Sequence, residues 1–292
     1  MAATAGRLAF IGFGEAAMAF LEGWGAERSG DVAAYDIKTD SAATQDAMRA
    51  RYEGCRVTGA ANPEGALADA RAVFCVVTAD QALEAARTAA AFLQADCFWF
   101  DCNSCAPGTK REAAELIEAA GGRYVDVAVM APVRPKLHRV PMLLSGPHAD
   151  RGAEVLRGLG MCPEISGGEV GRASSVKMMR SVMVKGLEAL TAECLLAARR
   201  AGVEAEVLAS LEASDPDIAW RTRAAYNLER MMVHGTRRAA EMEEVAKTVA
   251  ALGLPDAMSR AATRWQASVG ALGAEPGEAV LETRADRILD RL

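Results

Sequence analysis

The stretch Arg7-Leu-Ala-Phe-Ile-Gly12-Phe13-Gly14-Glu15-Ala16-Ala17 joins a short apolar run to a glycine turn and then to a segment of helix formers. Gly12 permits a tight turn, Gly14 lets a backbone approach a pyrophosphate, and Ala17 is small enough for close helix–strand packing. The helix N-terminus would face the phosphates. Phe13, Glu15 and Ala16 fall within the turn and are expected to contact the dinucleotide with it. A second strand candidate, Val32–Asp36, ends on a carboxylate placed to accept hydrogen bonds from adenosine ribose hydroxyls. Asp36 would repel the extra phosphate of NADP, so NAD is the expected cofactor, and the nearby Lys38 leaves NADP possible. An ordinary strand–helix junction with a solvated acid is the bland alternative. The register of strand, turn, helix and acid argues against it.

Outward from this turn, the first half alternates apolar runs with amphipathic segments. Further strand candidates are Arg56–Thr58, Ala72–Val77, Cys97–Asp101 and Tyr124–Val129, with helical periodicity over Asp80–Leu93 and Thr109–Ala120. Strands alternating with helices predict a doubly wound parallel sheet, a Rossmann α/β domain. Pro141–Ser145 and Met161–Ile165, separated by His148–Leu159, extend it. After Gly167-Gly168 the pattern becomes helical to the end, which predicts an all-α second domain. Val170–Ala201 is one long helix stopped by Gly202, and breaks are expected near Asp215-Pro216, His234-Gly235 and Gly253-Leu254-Pro255. The boundary is placed at residue 168, giving a dinucleotide-binding domain over 1–168 and a helical domain for substrate binding and dimerisation over 169–292.

The composition is that of a globular protein of 292 residues with net charge −6. No Lys/Arg cluster is long enough to track a nucleic-acid backbone. No apolar run approaches the ~20 residues of a membrane span, and none resembles a signal-peptide core. A cytoplasmic protein is expected. Seven cysteines, an odd number, with Cys75, Cys97 and Cys194 in apolar runs, read as reduced buried thiols. Cys102 and Cys105 have CxxC spacing, but no second pair completes a zinc site, and no metal is expected.

Strand ends carry the rest of a nucleotide pocket, because ligands bind at the carboxyl ends of parallel strands. Thr78, Asn103 and Ser104 offer hydrogen bonds near the nicotinamide and its ribose. All three are also of types that cap helices.

At the domain junction stands Gly168-Glu-Val-Gly171-Arg-Ala173-Ser-Ser-Val-Lys177-Met-Met-Arg180-Ser181. The order of motifs along the whole chain resembles the β-hydroxyacid dehydrogenase family, which includes 6-phosphogluconate and 3-hydroxyisobutyrate dehydrogenases. The resemblance implies an oxidoreductase that moves hydride between nicotinamide and a secondary alcohol or ketone. It makes Lys177 the general acid/base, matches Gly168 and Gly171 to the first two motif glycines, and matches Asn103 and Ser104 to a turn touching nicotinamide and substrate. It also implies a homodimer. Ala173 replaces a third glycine, and Ser181 replaces an asparagine one turn past the lysine. Asp126-Val-Ala-Val-Met130-Ala131-Pro132 keeps the family aspartate but has Met-Ala-Pro in place of Ser-Gly-Gly. The chain thus resembles a divergent branch with a distinctive C-terminal helical domain.

Chemistry supports Lys177 independently: hydride leaves a carbinol carbon only as its hydroxyl proton is removed, so a base must sit beside the nicotinamide. A desolvated lysine near other cations can serve. Arg180, Lys185 and His234 are candidate substrate contacts able to meet a carboxylate, whereas Arg237 and Arg238 read as i,i+4 partners of Glu241 and the acids after it. Met130 beside the reaction centre predicts a substrate with an apolar or aromatic portion. Two other functions fit the same sequence: an imine reductase of the same fold, and a dinucleotide-binding sensor or scaffold without turnover. Retention of Lys177 argues against both.

Overall fold

Strands with no polar interruption become strands buried on both faces, and that is what the first half of the chain builds. The structure, a computed structural model, describes residues 6–25 and 30–292. Its sheet has eight strands among these residues: β1 (Arg7–Ile11), β2 (Val32–Tyr35), β3 (Thr58–Gly59), β4 (Ala70–Cys75), β5 (Phe98–Asp101), β6 (Arg123–Val129), β7 (Pro141–Ser145) and β8 (Cys162–Gly167). They lie in the order β3-β2-β1-β4-β5-β6-β7-β8. The first six form the doubly wound parallel order expected of a Rossmann domain. Helices α1 (Glu15–Trp24), α2 (Gln45–Cys55), α3 (Pro63–Leu67), α4 (Ala82–Ala90), α5 (Pro107–Ala119) and α6 (Ala149–Gly158) complete the layers. Alternation along β1 sends Phe10 to one face with Phe13, Phe20, Phe74 and Phe100, and Ala9 and Ile11 to the other with Val73, Trp99 and Tyr124.

Two strand details depart from the sequence reading. β7 runs antiparallel to β6, because only a short connection with one turn of 3-10 helix joins them. A parallel return needs a crossover, usually a helix, and there is none here. β8 then pairs parallel to β7 through α6. At the other edge β3 starts only at Thr58, since Arg56 adopts a left-handed conformation that ends α2.

The second half is helical: α7 (Arg172–Arg200), α8 (Glu204–Ser214), α9 (Trp220–Ala251), α10 (Ala257–Ala271) and α11 (Leu281–Leu289). The chain divides into two compact units, one ending at Lys177 and the other Met178–Leu292. Leu195, Leu208, Leu228, Met231, Val269 and Ile288 form the core of the second. The interruptions at Gly202, Asp215-Pro216 and Gly253-Leu254-Pro255 are present, but the one expected at His234-Gly235 is not. α9 runs straight through it. A Cβ on Gly235 would lie 2.4 Å from the Gln266 carbonyl and 2.7 Å from Gly270 Cα, so this glycine lets two helix backbones touch.

All seven cysteines are free. Cys194, expected in the core, is exposed, because Ala192, Leu195 and Leu196 take the inward face of α7. Among the described residues no helix is long and apolar enough to cross a membrane.

Candidate functional site

Gly12 has φ +86°, and a Cβ there would lie 2.8 Å from the Val76 carbonyl, so only glycine fits. Its amide donates to the Tyr35 carbonyl at 2.8 Å, tying the turn to β2. Gly14 begins α1, no side chain caps that end, and nothing stands within 4 Å of the position a Cβ would take. An uncapped helix N-terminus facing open space is what a pyrophosphate requires. Glu15 is exposed and Ala16 half-buried beside it. Phe13 is fully buried, its ring 5.1 Å from that of Tyr52, so only its backbone can serve a ligand. That backbone is clamped at both ends: Phe13 N–H donates to Asp36 Oδ2 at 2.7 Å, and Arg51 Nη1 donates to Phe13 O at 3.1 Å. Asp36 Oδ1 accepts from Lys38 N–H at 3.0 Å. The acid expected to hold a ribose therefore also shapes the turn expected to hold the phosphates.

Beyond the central strands, Asp101 Oδ1 accepts from the Asn103 backbone N–H (3.0 Å) and side-chain amide (2.7 Å). That amide also lies 3.2 Å from Cys75 Sγ. Asn103 is buried, yet its carbonyl oxygen has no partner in the chain, an acceptor suited to a bound donor. Ser104 is half-buried and Thr78 exposed. Hydrogen bonds from the Gln81 amide and then the Thr78 hydroxyl hold the Asp80 carboxyl below its ordinary range. Burial pushes the Cys102 thiol up to about 12, with the Lys110 and Lys177 charges opposing it.

The entry to α7 is gathered on one carboxylate. Asp126 Oδ2 accepts from Gly171 N–H (3.2 Å), Ser174 N–H (3.1 Å) and the Ser145 hydroxyl (2.9 Å), with Ser174 Oγ at 3.1 Å. Ser145 Oγ accepts in turn from Ala173 N–H at 2.9 Å. An aspartate from the sheet thus satisfies the helix start, and Lys177 follows one turn on, partly buried. Met130 is half-buried at the end of β6, its amide bonded to the Pro141 carbonyl.

Arg180, Ser181, Lys185 and His234 belong to the second unit. Arg180 is exposed. Lys185 is buried, 2.7 Å from Glu241, and donates to Ser181 Oγ at 3.3 Å. Burial and the neighbouring Arg230, Arg237 and Arg238 push His234 down to about 4. Arg237 pairs with Glu241 in the expected i,i+4 manner. Arg238 does not. It reaches across to Glu188 on α7, which Gln266 also contacts at 2.8 Å. Among the described residues no group of three or more His, Cys, Asp or Glu side chains could hold a metal.

Sequence reasoning missed Lys110, Arg51 and the gathering role of Asp126. Lys110 left a signal: on α5 it shares a buried stripe with Ala113, Ala114 and Ile117, where an ammonium is out of place.

Residues 7–156 match the NAD binding domain of 6-phosphogluconate dehydrogenase, and residues 198–269 match a domain of unknown function, DUF1932. A conserved hypothetical protein from Sinorhizobium meliloti 1021 is 39% identical, with 98% of this chain and 96% of that one covered and a TM-score of 0.73. A conserved protein of unknown function, whose structure is described as similar to 3-hydroxyacid dehydrogenases, is 31% identical over 98% of this chain and 99% of its own, with a TM-score of 0.66. The fold is shared with Mycobacterium tuberculosis 3-hydroxyisobutyrate dehydrogenase, 15% identical over 98% and 99% of the two chains, at a TM-score of 0.72.

Proposed function

The chain belongs to the family that carries the NAD binding domain of 6-phosphogluconate dehydrogenase, and on that premise we propose that it moves hydride between NAD(P) and the carbinol carbon of a β-hydroxy acid. The observation that most supports this reading is the helix entry anchored on Asp126, which ends one turn before Lys177. Bound nicotinamide supplies the hydride acceptor. The backbone at Gly12 and Gly14 and the start of α1 hold the pyrophosphate, and Asp36 holds the adenosine ribose. Lys177 takes the substrate hydroxyl proton as hydride leaves, and returns it in the reductive direction. Ser181, one turn along α7, is buried and its hydroxyl accepts from Lys185, so it has no assigned part in the proton transfer. Nicotinamide absorbance followed across a panel of β-hydroxy acids tests the reading. Turnover of a panel member supports it. Tight NADH binding with no turnover of any overturns it in favour of a dinucleotide-binding scaffold.

Three outcomes belong to this proposal. NAD is preferred over NADP, because the Asp36 carboxylate would face the extra phosphate. Asp36→Arg erodes or inverts the preference and also weakens both cofactors, since Phe13 N–H loses its acceptor. Equal kcat/KM for NAD and NADP in the unmodified protein would end this assignment. Second, Met130 and Pro132 make an apolar wall, so substrates with an apolar or aromatic portion outperform polyols, whose hydroxyls would lie unpaired against it. Highest activity on a phosphorylated sugar acid refutes that. Third, the protein is a homodimer joined through its helical domain. Met179, Met183 and Leu190 recur at helical spacing on α7 and are exposed, Met183 by 63%. A monomer mass by light scattering at micromolar concentration counts decisively against it.

A further inference from the structure

Asp101 and Asp126 are register partners on the neighbouring parallel strands β5 and β6, so their side chains stand together on one face of the sheet. Both are buried, at 1% and 0% exposure. Two carboxylates so placed repel each other, and the chain answers with a single cation from the helix packed on that face. Lys110, fully buried, sets its ammonium 2.9 Å from Asp101 Oδ1 and 3.5 Å from Asp126 Oδ1, and donates to the Asp101 carbonyl at 2.7 Å. The ammonium thus hydrogen-bonds the Asp101 carbonyl and forms ion pairs with both carboxylates, while Asp126 Oδ1 accepts no hydrogen bond among the described residues. Tyr124 O–H completes the cluster with a 2.7 Å bond to Asp101 Oδ2. Burial alone would push the Lys110 ammonium down, but the Asp101 and Asp126 charges outweigh it and hold the group above its ordinary range. Geometry and charge alike make it a cation at neutral pH, enclosed away from solvent.

The two carboxylates also bind different parts of the candidate reaction centre, Asp101 through the same Oδ1 that faces Lys110 and Asp126 through its other oxygen, Oδ2. Asp101 holds the Asn103 turn, and Asp126 holds the first turn of α7, which carries Lys177. We propose, resting on the oxidoreductase reading above, that Lys110 is a positioning residue that fixes the Asn103 turn and the Lys177 helix entry against each other. An apolar side chain would suit α5 better for stability alone, since a buried ion cluster is often no more stable than hydrophobic packing of the same volume. What the cluster supplies is a fixed spacing between an amide aimed at the ligand and an amine meant to exchange a proton with it.

Lys110→Met keeps the stem and removes the charge. Amide hydrogen exchange should then rise roughly tenfold or more over residues 101–104 and 171–178, with no change at the glycine turn of residues 12–18. Calorimetric NADH affinity should stay within about twofold, and kcat on the best hydroxy acid should fall by roughly tenfold or more with the cofactor KM unchanged. Ser145→Ala, which removes only a link between Asp126 and α7, should loosen residues 171–178 alone. Exchange that stays unchanged in both segments, or that rises evenly across the sheet, overturns the proposal. Lys110→Gln, which keeps a donor for the Asp101 carbonyl, is the second variant should Lys110→Met fail to fold. Failure of both to fold makes Lys110 a stability residue only, and the positioning role is lost. An unmodified protein with no hydroxy-acid turnover would end the oxidoreductase reading, while the exchange pattern would still judge whether Lys110 ties the two segments.

Discussion

Lys177→Met lowers turnover by roughly two to four orders of magnitude, the usual contribution of a positioned acid/base, and leaves dinucleotide affinity nearly unchanged. Methionine keeps the stem of the side chain and removes only the amine proposed to exchange a proton. The cofactor contacts assigned above lie on Gly12, Gly14 and Asp36, none of which touches this change. The helix entry keeps its bonds to Asp126, because they run from Gly171 and Ser174. Lys185→Met is the informative companion. Lys185 is committed to Glu241 and Ser181, so its loss should cost stability more than chemistry. Ser181→Ala should cost about 1.5–3 kcal/mol of stability, the scale of one hydrogen bond to a charged group, with little change in kcat. Steady-state kinetics with cofactor titration decide the matter. Near-normal kcat in Lys177→Met together with loss of activity in Lys185→Met would move the acid/base role to the other lysine.

Arg238→Met destabilises the helical unit by about 3–5 kcal/mol, the range for removing one partner of a buried ion pair. Arg238 and Glu188 keep only 10% and 3% of their side-chain surface exposed, and the guanidinium meets both carboxylate oxygens. Without it, Glu188 retains one bond, from Gln266, and stays buried with a charge it cannot pair. Arg238→Met/Glu188→Leu should recover most of the loss, because a pair replaced by apolar groups of similar volume is often close to neutral. Denaturant unfolding of the three proteins measures both effects. An Arg238→Met protein within about 1 kcal/mol of the unmodified one would mean the carboxylate relaxes to solvent.

The Rossmann half was legible because its central strands are covered on both faces, so residues 8–11, 72–75 and 98–100 read as unbroken apolar runs, and because the turn at Gly12 and Gly14 lies between a strand and a helix. Orientation of β7 was harder. It depends on a connection too irregular to show a period, and nothing in Pro141–Ser145 itself carries a direction. Gly235 misled for a related reason: a glycine inside a helical pattern marks either an end or a close contact, and only its partner, Gly270, distinguishes them. The same holds for adjacent arginines. Arg237 pairs within its own helix and Arg238 with another, a difference set by helix packing that one-dimensional spacing cannot express. Of the candidate site, the glycine turn and Asp36 followed from pattern, and Lys177 from a motif. Lys110 and Arg51 act through oxygens distant in sequence, Asp126 and the Phe13 carbonyl, and so were invisible without the fold.

The distribution of thiols has a practical consequence. Cys75, Cys97, Cys102 and Cys105 are enclosed, and burial holds the first three well above the ordinary thiol range. They should resist alkylating reagents at neutral pH, since the thiolate is the reactive form. Cys55 is partly covered and likewise raised by burial. Cys162 and Cys194 are exposed, and they stand one in each compact unit. The native chain thus carries one reactive thiol in each compact unit without any engineering. Maleimide dyes would therefore enter first at these two positions in a monomer, and protection of Cys194, which continues the exposed face of α7 beyond Leu190, would mark the proposed dimer contact.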